Sequence, residues 1–173
     1  MKIGIIYYSK TGITKKLSEI ATAQLRATSH EVKLLPIENY NYFAEEKYNL
    51  LIIGSFCEPN NYPEKVRGLF SSLKVNKCLA SFVTHSTYES GPYYQNWGAG
   101  CNAFYERYCD ENKVVNKGYF HCRGKPSLAI SLFIRMVVIK DKTDWKEYKR
   151  DMNNHPDEIE ICRFKEFIEN VVE

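Results

Sequence analysis

An apolar run at the start of the chain, Ile3 to Tyr8, stops at Ser9-Lys10-Thr11-Gly12-Ile13-Thr14, and a helical pattern begins at once. The run is continuous rather than alternating, which reads as a strand covered on both faces, as in a parallel sheet. Ile13, Leu17, Ile20, Ala21 and Leu25 then fall on one helical face. Between strand and helix, Ser9, Thr11 and Thr14 bring hydroxyls, and Gly12 lets backbone come close to a ligand. The free N–H groups of a helix start and the positive end of its dipole point the same way, which makes a phosphate site. The spacing is neither a Walker loop nor G-x-G-x-x-G. The plain alternative is an ordinary strand-to-helix turn capped by Ser and Thr.

The same alternation continues along the chain. His30 to Leu35, Asn49 to Ser55, Leu79 to Thr84 and Val114 to Cys122 read as further strands. Between and after them, helical patterns span Pro63 to Leu73, Asn96 to Asn112 and Asp157 to Val172, with Asp157 as the cap of the last. A short helix is expected around Phe43 to Glu46, and a turn at Gly124 to Ser127. Five strands alternating with helices predict an α/β fold, a three-layer doubly wound sandwich around a five-stranded parallel sheet. No repeat or linker divides the chain, so residues 1–173 are expected to form one domain.

Composition narrows the classes of function. The formal net charge of +3 is small and the basic residues are scattered, which argues against nucleic acid as a partner. Leu128 to Ile139 is the most apolar later stretch, but Ser131 and Arg135 interrupt it and it is too short to insert across a bilayer. Met1 leads straight into the first strand with no signal peptide, and the six cysteines form no C-x-x-C pair, so a cytoplasmic protein with reduced thiols is expected.

In open parallel sheets, ligands bind outside the carboxyl ends of the strands. The loops after the third and fourth strands hold Phe56, Tyr62, Tyr88, Tyr93 and Trp97, rings that suit a flat ligand or that pack the loops onto the body. Tyr88 is the favoured stacking residue. His85 follows the fourth strand directly, where it would hydrogen-bond a ligand or a loop carbonyl. Gly98-Ala99-Gly100-Cys101-Asn102-Ala103 fits G-x-G-x-x-A by letters but follows a polar loop, so it is set aside.

The loop Ser9-Lys10-Thr11-Gly12-Ile13-Thr14 resembles the FMN-phosphate loop of flavodoxins. Tyr119 to Ser127 and His155-Pro156-Asp157-Glu158 resemble segments of short single-domain bacterial members of that family, so the resemblance covers nearly the whole chain. It implies a flavodoxin-like fold that binds FMN. The phosphate would lie on Ser9, Lys10, Thr11, Gly12, Ile13 and Thr14, and the ring on Ser55, Phe56, Cys57, Thr84, His85, Ser86, Thr87 and Tyr88. Three departures stand out: Ile13 where the family usually has Asn, no glycine in the loop after the third strand, and no strongly acidic balance.

The resemblance implies electron transfer to or from a partner oxidoreductase, with no side chain in a catalytic role and no metal. Two other readings stay open: an FMN-dependent NAD(P)H reductase of a small substrate, and a flavin-free binding protein on a degenerate flavodoxin fold. Leu128 to Ile139 is either buried or an apolar surface for a partner or the second subunit of a homodimer. Lys140 to Asp151 is expected to be solvated.

Overall fold

The computed structural model describes residues 1–40, 48–73, 78–88 and 94–173, without the side chains of Asn96 and Trp97. The helix expected around Phe43 to Glu46 and the loop position of Tyr93 lie outside the described residues.

Five parallel strands form the sheet: β1 (Lys2–Tyr7), β2 (Glu31–Pro36), β3 (Leu50–Phe56), β4 (Cys78–His85) and β5 (Val115–Arg123). Their order is β2-β1-β3-β4-β5. The order reverses between β1 and β3, and a crevice opens beyond the carboxyl ends of those two strands.

Alternation along each strand sends side chains to opposite faces. Ile3, Ile5, Leu50, Ile52, Ala80 and Phe82 pack under α1 (Ile13–Ala27) and the C-terminal helix, which contributes Phe164, Ile168 and Val171. Ile6, Leu51, Ile53, Leu79 and Val83 pack on the other face under α2 (Glu64–Ser72) and a helix over Gly100–Asn112. Every β3 residue from Leu50 to Ser55 is buried, as its continuous apolar sequence requires. The expected three-layer architecture is thus present.

The helical stretch expected from Asn96 to Asn112 is broken into a single turn, α3 (Tyr94–Trp97), and α4 (Gly100–Asn112). Between β5 and the last helix, α7 (Glu158–Asn170), the chain adds α5 (Leu128–Phe133), a π-helical turn over Ile134–Val138, and α6 (Lys142–Asn153). The stretch expected to be solvated, Lys140 to Asp151, is therefore largely helical. Asp141 caps α6 by accepting from the N–H groups of Thr143 and Asp144. Its outer positions are exposed, but Tyr148 and Met152 are buried against Ile134.

The apolar stretch before it settles the alternative of burial or surface mostly in favour of surface. Ile134 is buried, whereas Leu128, Leu132, Met136 and Val137 are 86%, 62%, 73% and 57% exposed. Among the described residues no helix is long and apolar enough to cross a membrane.

Asp157 caps α7 through a capping box with Glu160. His155 is buried beside this cap, with its Nδ1 on Glu160 and its Nε2 3.3 Å from Asp151 Oδ1. Arg123 completes the junction, donating from its backbone N–H to Glu160 at 3.0 Å and from its guanidinium to Asp151 at 3.0 Å. The end of β5 is thereby tied to both α6 and α7.

Candidate functional site

The turn from β1 into α1 has the geometry its sequence requires. Gly12 sits at the helix start with φ of 88°, in the left-handed region that disfavours a side chain, and a Cβ there would meet nothing within 4 Å. The surface beside Gly12 is open. Its N–H donates to Ser9 Oγ at 3.1 Å, which folds the loop into a tight arc. The first helical bond runs from Lys16 N–H to the Gly12 carbonyl at 2.9 Å. The N–H groups of Ile13, Thr14 and Lys15 therefore have no acceptor within their own helix and are available to an anion.

Thr14 does not face that arc. Its buried hydroxyl donates to the Ser55 carbonyl at 3.3 Å and lies 3.1 Å from Thr84 Oγ1. One side chain thus pins the phosphate loop to the ends of β3 and β4. Ile13, at the position where the family usually has Asn, lies beside Gly124, whose Cβ would come within 3.3 Å of Ile13 Cγ2.

Next to this loop lies a cavity of about 340 Å³, of a size for a small molecule or cofactor ring. Lys10 and Thr11 form its edge on the loop side. Phe56, Cys57, Glu58 and Pro59 form one wall, Thr84 to Thr87 another, and Gly124 to Ser127 close the end beyond β5. Ile130, Phe133 and Ile134 from α5 and the π-helical turn roof it. Lys10 spans the mouth, 2.9 Å from Glu58 Oε1 and 4.9 Å from the centre of the Phe56 ring. That places a cation between the phosphate loop and the cavity.

Of the residues singled out in the sequence, the structure gathers Lys10, Thr11, Phe56, Cys57, Thr84, His85, Ser86 and Thr87 around the cavity. Ser9, Gly12, Ile13 and Thr14 sit beside it in the phosphate loop. Ser55 is buried behind it, its hydroxyl donating to the Phe56 carbonyl at 3.0 Å. Tyr88 stands apart from the cavity lining. Its ring lies 6.0 Å from Tyr148 and 5.6 Å from the Arg123 guanidinium, and burial, with Asp151 beside it, pushes its hydroxyl up to about 12. Among the described residues Phe56 in the wall and Phe133 in the roof are the phenyl rings that line the cavity, and Tyr62 has turned inward. Tyr62 is 1% exposed, bonds Ser81 Oγ at 2.7 Å and packs on Phe70 and Phe104.

Cys57 Sγ donates to the Pro59 carbonyl at 3.0 Å. Its hydrogen bond to Cys101, together with burial, holds the Cys101 thiol well above the ordinary range, so that thiol stays protonated. His85 is 5% exposed, and burial together with the neighbouring His121 lowers its pKa to about 3, so the ring is neutral near pH 7.

The sequence reading missed Gly124 to Ser127 and the roof. The turn at Gly124 was visible, and the rule that ligands sit beyond strand ends applies to β5 as it does to β3 and β4. Nothing in the periodicity of residues 128–138 marks which side chains face a cavity.

The model of a family described as Flavodoxin domain matches residues 4–169. The chain belongs to the flavodoxin family. Members of this family bind FMN. A flavodoxin from Streptococcus pneumonia TIGR4 is 12% identical, with a TM-score of 0.67 over 99% of this chain and 98% of that one. Oxidised flavodoxin 1 of Bacillus cereus is 14% identical, with a TM-score of 0.68 over 99% and 97%. The rubredoxin oxygen:oxidoreductase of Desulfovibrio gigas is 14% identical, with a TM-score of 0.59 over 99% of this chain but only 37% of that one. At such identities these structures share the fold. No curated protein matches the chain.

The residues present fit FMN at both ends. The Gly12 arc is a cradle that a side chain would fill, with unpaired helical N–H groups behind it, and the adjoining cavity offers an aromatic wall and hydroxyls.

Proposed function

We propose that this chain is a single-domain flavodoxin that carries electrons to or from a partner oxidoreductase, with the FMN phosphate in the Ser9–Thr14 loop and the ring in the adjoining cavity. The observation that carries the reading is the continuity of an anion cradle with a ring-sized apolar cavity at the switch point of a parallel sheet. FMN supplies the redox chemistry when bound. The chain's residues bind, orient and shield. Backbone N–H groups at the start of α1, with the hydroxyls of Ser9 and Thr11, would hold the phosphate, and Lys10 adds charge at the mouth. Phe56 offers a stacking face. Ile130, Phe133 and Ile134 exclude water from the side that the inserted helices cover. The exposed apolar residues Leu128, Leu132, Met136 and Val137 continue from that roof and offer a partner a docking face.

The test is an absorption spectrum of the purified protein after adding FMN and removing the excess. A retained flavin spectrum at one FMN per chain is expected. Phe56→Ala should weaken FMN binding about tenfold, the size of a lost aromatic stacking contact. A protein that retains no flavin would overturn the reading in favour of a flavin-free binding protein.

A further inference from the structure

The segment from Leu128 to Val138 is apolar on two sides. Ile130, Phe133 and Ile134 line the roof of the cavity. Leu128, Leu132 and Met136 recur at every fourth position along another side, with Val137 beside them, and each of the four is more than half exposed. A helix that is apolar nearly all round is normally covered, by protein or by lipid. Both ends of the segment are closed by its own neighbourhood. Ser127 Oγ accepts from the Ile130 N–H at 3.4 Å. The Arg135 guanidinium donates to the carbonyls of Ile139 and Lys140 at 2.8 and 2.7 Å. Backbone groups that would otherwise call for water at the helix ends thus have partners, which lowers the cost of moving the segment into an apolar medium.

Charge distinguishes the candidate occupants of this face. From Gly124 to Lys140 the charged residues are Lys125, Arg135 and Lys140, with no carboxylate, and Lys142 follows. Asp141 is the first acidic residue beyond them, and its carboxylate accepts from the N–H groups of Thr143 and Asp144. Over residues 124–142 four basic residues stand against one acidic, an excess equal to the +3 of the whole chain. Lys125, Lys140 and Lys142 are exposed. The outward stripe is aliphatic or thioether and carries no N–H or O–H donor. Protein interfaces hold about one hydrogen bond per 100–200 Å² and draw their affinity from Trp, Tyr and Arg anchors. Acyl chains ask for no such group, and anionic headgroups attract lysines that flank an apolar stripe.

We propose that α5 and the π-helical turn lie in the surface of a membrane bearing anionic lipids, with Leu128, Leu132, Met136 and Val137 among the acyl chains and Lys125, Lys140 and Lys142 at the headgroups. The segment is about 16 Å long and rests in the plane of the interface without crossing it. The lysine stems let each charge stay with the headgroups while the apolar stripe sinks below them. Adsorption brings the cavity, roofed by the other side of the same segment, to about 10 Å from the lipid, one helix diameter. The four apolar contacts lie outside the cavity lining, so adsorption holds or fails apart from FMN binding.

The test is co-sedimentation of the full chain with sucrose-loaded vesicles, either of phosphatidylcholine mixed with phosphatidylglycerol or of phosphatidylcholine alone. Binding to the mixed vesicles is expected to be at least about tenfold tighter and to weaken as salt is raised. The double variant Leu128→Ser, Met136→Ser should bind about a hundredfold more weakly. Lys140→Gln with Lys142→Gln should cost about twentyfold on the mixed vesicles and little on phosphatidylcholine alone. Circular dichroism identical to wild type establishes that these variants are folded. Wild-type protein that stays in the supernatant with both kinds of vesicle would overturn the proposal and leave the face to a protein. A folded double serine variant that sediments like wild type would also overturn it, because another surface would then be binding. Sedimentation equilibrium showing a dimer that Leu128→Ser dissociates would overturn it in favour of a second copy of this chain.

Discussion

The Ser9–Thr14 loop and the adjoining cavity meet at the carboxyl end of the sheet but are built in opposite ways. The loop is six consecutive residues whose shape follows from Gly12, from the Ser9 hydroxyl and from the start of α1. The cavity is assembled from the ends of β3, β4 and β5, their loops and an inserted helical pair, none of which encloses it alone. A site built locally fails by local strain. A site built from distant segments fails when any of its anchors in the core is lost.

The largest effect should fall on a residue that touches no ligand. Tyr62 anchors the loop after β3 into the core through Ser81, Phe70 and Phe104. Tyr62→Ala should cost about 3–5 kcal/mol in denaturant unfolding and loosen the cavity wall, whereas Tyr62→Phe should cost only about 1 kcal/mol. Equal, small costs for the two variants would mean that the wall stands without its anchor.

Next in size is the dependence on pH introduced by the buried imidazole. His85 titrates near 3 in the folded protein and near 6.5 when unfolded, so the unfolded chain binds the extra proton between these values. The contribution is present above about pH 6.5 and is lost as pH falls toward 3, with stability falling by up to about 1.4 kcal/mol per pH unit from this group. The difference in stability between wild type and His85→Phe should shift accordingly on acidification. A constant difference across that window would place His85 in contact with water.

A smaller cost is expected in the phosphate loop itself. Gly12→Ala forces a side chain into the left-handed region at about 1–2 kcal/mol. Because the space beside it is open, the fold should survive while phosphate affinity drops, as FMN titration would register. Unchanged affinity would separate Gly12 from the anion site. The least effect belongs to the exposed apolar face. Leu128→Ser and Met136→Ser should change unfolding stability by less than about 0.5 kcal/mol, since neither side chain is packed in the core. A large loss would show that another subunit covers this face.

Much of this protein was decided by short-range pattern. The buried strands read as continuous apolar runs because both faces of each are covered, and α1, α2 and α7 read from apolar spacing along one face. The turn from β1 into α1 read directly because its shape resides in neighbours along the chain.

Tertiary structure decided the rest. It turned Tyr62 inward and set Tyr88 against Tyr148 and Arg123, leaving Phe56 in the wall and Phe133 in the roof to line the cavity. It also built a helix from the charged stretch around Lys142–Asn153, whose few apolar residues acquire a face only when Ile134 lies opposite. Finally, it joined His85 to His121, 36 residues apart, through the pairing of two strands. A side chain's direction at a loop or a strand end depends on what the rest of the chain brings to that point, and no local periodicity encodes it.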